Sequence, residues 1–439
     1  MLKAEIVLAS LVLLCGQTVL WWRRDHVMGY LQAGLFFTSV LVPVVGTTII
    51  DGSDQAIVGL YARILMIGAA AYLGGLLYGG LLGQRQRLPG VTFGAVFAGV
   101  PRFITRRARI IGAAAVVALL FSFVLLGYIP FFAADRVGAK YGTGIYRAGL
   151  ERAALVFHVA LRMGSTILPV LLVLVMRRRR GVDVLLAGVL ALGLVLTLSR
   201  GSALLGPLVF AIAVMVSRRW KAWAILAVVC TGYVSATLVN EVIAVARPTT
   251  SASFAIRVAA SAPDLSDHLG FLNGFKVSGN QEVGFRTILA GLSLNKGDYN
   301  PSSYALRIRT GVVDSGEFAS GGLRLPAPVW GYSAFGYVGA GFWSFFSGLF
   351  IGWGTVLVKR MVTPVEGARG QAMNLVLAWV FFSGTFAIAG DFFFPERVEL
   401  VALVIALALC WKRVAPLDER RPHEAGGAAP EVPAPALAE

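Results

Sequence analysis

Apolar residues run along this chain in long blocks, at positions 4–21, 29–50, 57–82, 110–133, 153–176, 182–198, 201–217, 222–245, 333–358, 372–390 and 397–411, with polar breaks between them. A helix of about 20 residues, rising about 1.5 Å per residue, covers the roughly 30 Å of hydrocarbon in a bilayer. Backbone placed in that hydrocarbon must satisfy its own hydrogen bonds, which a helix does and an open loop does not. The pattern therefore predicts an all-α, polytopic integral membrane protein with about 11 transmembrane helices. Eight of the blocks lie within residues 1–245 and three within 333–413, on either side of one long polar loop at 246–332.

The breaks carry a second pattern. Arg23 with Arg24, the stretch from Arg85 to Arg109, the run from Arg177 to Arg180, the run from Arg218 to Lys221, the stretch from Lys359 to Arg369, and Lys412 with Arg413 are all basic. Each lies an even number of expected crossings from the next, so one orientation puts every cluster in the cytoplasm, where the Lys and Arg bias belongs. That orientation places the N-terminus outside and the C-terminus inside. The outer side then receives the turn from Asp51 to Gln55, the segment 134–152, the turn at Arg200, the loop 246–332 and the turn from Asp391 to Glu396. Residues 414–439, ending GGAAPEVPAPALAE, have the Pro and Ala bias of a disordered tail.

Composition agrees with the blocks. The chain is 57% hydrophobic and 14% charged, with mean hydropathy +0.75, far from the balance of a soluble domain of 439 residues. A net charge of +16 would suit nucleic acid, but the basic residues abut apolar blocks, so membrane topology accounts for them and no nucleic-acid partner is expected. Cys15, Cys230 and Cys410 fall inside expected spans with no regular spacing, which indicates neither a disulfide framework nor a thiolate metal site. The first block lacks a signal-cleavage pattern and is read as a retained span. The absence of a Walker A motif, a dinucleotide fingerprint and an HExxH motif removes the usual support for an ATP-driven pump, a nucleotide enzyme and a zinc protease.

Polar residues inside or beside the apolar blocks are the candidates for chemistry. In LTLSRGSALLG, Arg200 sits at the outer tip of a tight helical hairpin. Its guanidinium fork suits a phosphate-bearing ligand, and an arginine at a helix end also snorkels to lipid headgroups. ERAALVFHVALRMGS at 151–165 holds Glu151, Arg152, His158 and Arg162, the last two four apart and so on one helical face. Arg162 lies about ten residues, or about 14 Å, into its span, where a charge faces a polar cavity or an ion-pair partner such as Asp391 or Glu396. Asp51 and Asp54 in IIDGSDQ suit a divalent metal or a general base, and equally suit the turn itself. The long loop, with eight basic and six acidic residues, contributes His268, Glu282, Arg286, Arg307, Arg309, Asp314, Glu317 and Arg324. Within it, Phe285, Ile288, Leu289 and Leu292 predict a short amphipathic helix, lying on the membrane or packed inside the loop.

From Gly321 to Gly354 the chain reads GGLRLPAPVWGYSAFGYVGAGFWSFFSGLFIGWG. A proline-containing motif before an FG..G pattern, here Phe335, Gly336 and Gly339, leading into a glycine-rich helix, resembles bacterial oligosaccharide repeat-unit polymerases of the Wzy type. The LSRGS around Arg200 is similar to the serine, arginine, glycine turn of those polymerases and of O-antigen ligases. His268 is followed by Leu269, where the ligases carry a polar residue, and this favours the polymerase over the ligase.

The resemblance implies a metal-independent glycosyltransferase of the multi-span C-type superfamily, needing no cofactor. Its donor and acceptor would be polyprenyl-diphosphate-linked oligosaccharides at the outer face of the bacterial cytoplasmic membrane, with a chain-length regulator and a flippase as partners. On that expectation Arg200 and Arg286 face the diphosphate and Glu317 deprotonates the acceptor, while Arg162, His158, Arg309 and Arg324 bind substrate. The alternative is an O-antigen ligase or a polyprenyl-phosphate-sugar transferase with Asp51 or Asp54 as base. A transporter or flippase is disfavoured, because no internal repeat is evident and one large loop makes the chain asymmetric.

Overall fold

The structure, a computed structural model, describes residues 1–21, 27, 30–31, 50, 52–85, 100–245, 264–279, 283–286, 288–289, 301–311, 323, 325–362, 367–385, 400–401 and 404. Among these residues the regular secondary structure is helix alone. In chain order the helices are α1 (Leu2–Trp21), α2 (Gln55–Arg85), α3 (Val100–Leu126), α4 (Arg136–Tyr141), α5 (Arg147–Arg178), α6 (Gly181–Leu196), α7 (Arg200–Ser217), α8 (Ala222–Val245), α9 (Asp264–Val277), α10 (Pro301–Thr310), α11 (Ala327–Met361) and α12 (Ala368–Thr385). Among the described residues four stretches are long and apolar enough to cross a membrane: Gln55–Arg85, Arg107–Leu126, Arg136–Arg178 and Ala327–Lys359. Shorter apolar helices occupy Gly181–Leu196, Gly201–Ser217 and Ala222–Ser235. Over its described residues the chain is thus all-helical, with the long apolar helices of a membrane protein. The expected crossings at 29–50 and 397–411 fall almost wholly outside the described residues, as does the tail at 414–439.

Two apolar cores organise the helices. One joins α1, α2, α9, α10 and α11 around Tyr61, Leu65, Phe271, Phe275, Val329 and Trp343. The other joins α3, α5, α6, α7 and α8 around Leu119, Leu168, Leu171, Leu194, Val209 and Ile212. Helix α12 belongs to both, giving Ala378 and Phe382 to the first core and Met373, Val376 and Trp379 to the second.

Helices α2 and α11 meet backbone to backbone. A Cβ added at Gly75 would stand 1.9 Å from the carbonyl oxygen of Phe345, and one at Gly79 would stand 2.1 Å from that of Leu349. From the other side, a Cβ at Gly348 or Gly352 would meet the carbonyl oxygens of Tyr72 and Leu76 at 2.2 and 2.3 Å. Gly75, Gly79 and Gly83 recur every fourth residue, and so do Gly348 and Gly352, so each helix lays a shallow groove along one face. Lipid tails are as apolar as leucine, so close van der Waals approach, rather than escape from water, is what holds two such helices together.

Two expected spans are present but differ at one end. The apolar run at 110–133 is not one helix, because α3 stops at Leu126. There Gly127 turns the chain with φ 77, and Pro130, which has no amide hydrogen, opens a 3-10 turn at Pro130–Phe132. The span expected at 333–358 begins later, because α11 is broken at Phe335 (φ −149, ψ 34) and Gly336 (φ 59, ψ −146). A Cβ at Gly331 would lie 2.1 Å from the carbonyl oxygen of Gly339. Residues eight apart in an unbroken helix stand about 12 Å from each other. The arm 327–334 therefore folds back beside the start of the arm 337–361, which alone retains the length of a membrane helix.

Candidate functional site

Breaking α11 frees backbone carbonyls in an apolar setting, and each needs a donor. The carbonyl of Ser333 accepts from the amide of Val283 at 3.0 Å, and that of Ala334 from the amide of Gly284 at 3.2 Å. A piece of the long loop is thereby latched onto the break. Phe285 packs edge-on against Phe335 with ring centroids 4.8 Å apart, Val283 is buried, and Arg286 opens a helical turn with its side chain exposed. At Gly336 the backbone occupies a region that only glycine enters readily, so the FG of the sequence motif is the breaking point itself. The apolar face expected at 285–292 is described only in part: Ile288 packs on the core while Phe285 and Leu289 are exposed.

Two loop helices pack above the same end of α2 and α11. Gly274 of α9 approaches the carbonyl oxygen of Ile308 of α10, where a Cβ would lie 2.1 Å away. Phe271 sits between Tyr304 and Trp330, with centroids 6.1 and 6.0 Å away. Asp267 on α9 pairs with Arg309 on α10. His268 is buried, and its Nδ1 lies 2.8 Å from the hydroxyl of Tyr61 on α2. Burial raises the hydroxyl of Tyr304 above the ordinary phenol range, more than Arg307 and Ser333 lower it, which keeps this group neutral. Beside these helices lies a cavity of about 280 Å³ lined by Ser53, Asp54, Ile57, Ser266, Leu269, Gly270 and Asn273. The Asp54 carboxylate accepts the amide of Ala56 at 2.8 Å, and its carbonyl accepts from Ile57 and Val58, so this residue caps α2.

The Arg200 turn has its own geometry. Leu198 takes φ 56, Thr197 Oγ1 donates to the carbonyl of Leu194 and accepts the amide of Ser199, and Ser199 and Ser202 share a hydrogen bond of 3.0 Å between hydroxyls. Arg200 is the first residue of α7. Helices α5 and α7 run parallel and in register. Leu168 meets Gly206, and further along Met176 and Arg177 share a cavity wall with Val214, Ser217 and Arg218. His158 and Arg162 are exposed, in a strip with Glu151, Arg152, Leu155 and Val159. Gly164 and Leu171 face α6 and α3, and by helical rotation Arg162 points about 160° to 180° away from both.

The structure thus gathers the sequence candidates in two groups. His158, Arg162 and Arg200 belong to α5 and α7. Asp54, His268, Arg286, Arg307 and Arg309 belong to the loop helices and the ends of α2 and α11 that they cover. Asp51, Glu282, Asp314, Glu317, Arg324, Asp391 and Glu396 lie outside the described residues. The Tyr61 hydroxyl and Asp267, which sequence reasoning missed, are found only through tertiary contact. Among the described residues no three His, Cys, Asp or Glu side chains converge as metal ligands would. What the site offers chemically is a set of arginines, exposed at a broken helix and on one helical strip, suited to oxyanions. Compared with known protein families, with characterised proteins and with solved structures, the chain matches none.

Proposed function

We propose that the chain is a membrane glycosyltransferase that polymerises polyprenyl-diphosphate-linked oligosaccharide repeats at the outer face of the cytoplasmic membrane. The observation that supports this reading most is the break in α11 at Phe335 and Gly336, latched by Val283 and Gly284 so that Arg286 is fixed beside it. Irregular backbone at the end of an apolar helix is tolerated where protein covers it or where it lines a wet cavity, and both suit a site that takes a lipid-borne charged substrate. The reading includes eleven crossings, the N-terminus outside, and donor and acceptor both drawn from the outer leaflet.

In the proposed reaction the acceptor hydroxyl oxygen attacks the anomeric carbon of the donor. The bond from that carbon to the diphosphate oxygen breaks, and polyprenyl diphosphate leaves with the electron pair. Arg200 and Arg286 balance the negative charge that develops on the leaving group, without metal or nucleotide. Glu317 takes the hydroxyl proton. Arg162, His158 and Arg324 hold the substrate, and Arg309, already oriented by Asp267, contributes the rest of its fork.

A second reading has one observation in its favour. The cavity lined by Asp54, Ser266 and Asn273 suits a ligase or a polyprenyl-phosphate-sugar transferase with Asp54 as base. A deletion strain separates the readings by its surface glycan. Single-repeat material supports the polymerase, and unattached full-length polymer supports the ligase. Unchanged glycan with a lost solute uptake refutes both and favours a transporter, in which broken helices are also common. Complementation with Arg200→Lys or Arg286→Gln tests the diphosphate roles, and normal polymer length from either variant removes that residue from the mechanism.

A further inference from the structure

At the far end of α5 and α7 from Arg162 and Arg200, a cavity of about 550 Å³ opens between three helix ends. Its walls are Met176 and Arg177 of α5, Val214, Ser217 and Arg218 at the end of α7, and Gly367 to Gly370 at the start of α12. Arg177, Arg218 and Arg369 thus bring three guanidinium groups from three helices to one concavity, and all three are exposed. No carboxylate among the described residues pairs with any of them. Like charges gathered in one recess repel, and an anion that enters relieves the repulsion.

The helix ends favour the same occupant. The C-terminal carbonyls of α5 and α7 would oppose an anion, but four of them are taken: Val175 by the amide of Arg179, Val214 by that of Arg218, Met215 by that of Trp220 and Val216 by that of Arg219. Helix α12 enters the cavity by its N-terminus instead, and its hydrogen-bond ladder begins only with Gly370 and Gln371 bonding to Gly367. The amides of Ala368 and Arg369 precede that ladder, and the positive end of the helix dipole adds to the arginines. Trp220, on the connection from α7 to α8, and Trp223, in the first turn of α8, are 48% and 68% exposed, the placement of indoles at a membrane interface.

We propose that this cavity binds a phosphate group, carried either by the headgroup of an anionic phospholipid or by a soluble phosphate compound. Guanidinium forks match phosphate oxygens in pairs, which an ordinary surface lysine cluster does not. The bound group ties the ends of α5, α7 and α12 together. Because α12 gives side chains to both apolar cores, occupancy stiffens the junction between them. The proposal does not depend on the transferase reading, since the cavity lies at the other end of the helices and its test reads binding and unfolding rather than glycan.

The full chain is placed in nanodiscs of phosphatidylcholine, alone or mixed with phosphatidylglycerol, and the thermal midpoint is measured with and without inorganic phosphate. Native mass spectrometry follows the retained lipid. The variant R177Q/R218Q/R369Q is compared with R180Q/R219Q/K221Q, which removes the same charge from neighbouring positions outside the cavity. The wild type and the second variant are expected to be stabilised by the phosphate-bearing probe, while the first loses roughly a hundredfold in apparent affinity. A response confined to phosphatidylglycerol assigns the lipid source, and a response to inorganic phosphate in neutral discs assigns the soluble one. Equal loss in both variants, or no response of the wild type to either probe, overturns the proposal. Should R177Q/R218Q/R369Q lose helicity in far-ultraviolet circular dichroism, R218Q and R369Q are read singly, each expected to weaken binding about fivefold.

Discussion

The hydroxyl of Tyr61 lies 2.8 Å from Nδ1 of His268, across a separation of 207 residues, and both side chains are buried. Tyr61 belongs to α2, the partner of α11, whereas His268 belongs to α9 in the polar loop. The contact therefore ties the loop to the apolar helix pair, and the latch of Val283 on Ser333 ties it again at the break in α11. The polar loop between the apolar blocks is thus held to the helix ends by buried polar contacts.

Removing one side of that contact tests its weight. Tyr61→Phe keeps the ring and deletes the hydroxyl, taking this partner from a buried imidazole, which costs about 1–3 kcal/mol. A lower unfolding midpoint in detergent is the expected result. Combining Tyr61→Phe with His268→Leu should cost less than the two single changes summed, as for residues in contact. An additive double variant would show that the two side chains are not coupled.

Neighbouring glycines in α2 give a sharper contrast. A Cβ at Gly75 collides with the Phe345 carbonyl, whereas one at Gly74 meets nothing within 4 Å. Gly75→Ala must push α2 and α11 apart and should destabilise the protein by several kcal/mol or abolish its accumulation. Gly74→Ala should be neutral or stabilising, by up to about 1 kcal/mol, because alanine is the better helix former. Yield and unfolding midpoint of the two variants in the same detergent decide the matter, and similar behaviour of the pair would contradict the packing described.

How far the sequence discloses this structure depends on what kind of physics each feature needs. Helices α2, α5, α6 and α7 are legible because transfer energy acts locally and an apolar run declares itself without reference to distant residues. The hairpin turn before Arg200 is legible too, since basic clusters on both sides constrain the path between them. The break in α11 is not, because hydropathy measures solvent preference and stays high across Phe335 and Gly336 while the backbone reverses. Gly336 and Gly339 stand out only as part of the FG..G motif, and in a chain with 51 glycines nothing in that motif marks a reversal of the backbone. Asp54 shows the converse: its residue type suits a base and a cap alike, and only the amide of Ala56 reveals that it caps. For Arg309 the partner decides, and Asp267 stands 42 residues away.

Gly336 links the fold to the proposed activity. Its φ of 59 and ψ of −146 cost any other residue about 1–3 kcal/mol, so Gly336→Ala should loosen the fold-back of 327–334 and the docking of Val283 and Gly284. If Arg286 acts where that latch holds it, the variant should make shorter surface polymer even where its membrane level is normal. Glycan ladders normalised to immunoblotted protein measure this. Full-length polymer from a stable Gly336→Ala would detach the break from the chemistry.

Arg109 and Asp183 join α3 to α6 by two hydrogen bonds, Nε to Oδ1 at 2.5 Å and Nη2 to Oδ2 at 2.8 Å. The carboxylate is fully buried and the arginine side chain is 25% exposed. Arg109→Leu leaves a buried carboxylate without its main partner, and a cost of about 3 kcal/mol is expected, softened by Arg178 and Arg180 nearby. Arg109→Leu with Asp183→Leu removes both charges and fills similar volume with apolar side chains, so the double variant should recover most of the loss. Unfolding of the single and double variants in parallel tests this. If the double variant is no more stable than Arg109→Leu alone, the pair contributes through its hydrogen-bond geometry rather than through the penalty of an orphaned charge, and the junction of α3 with α6 depends on these two residues specifically.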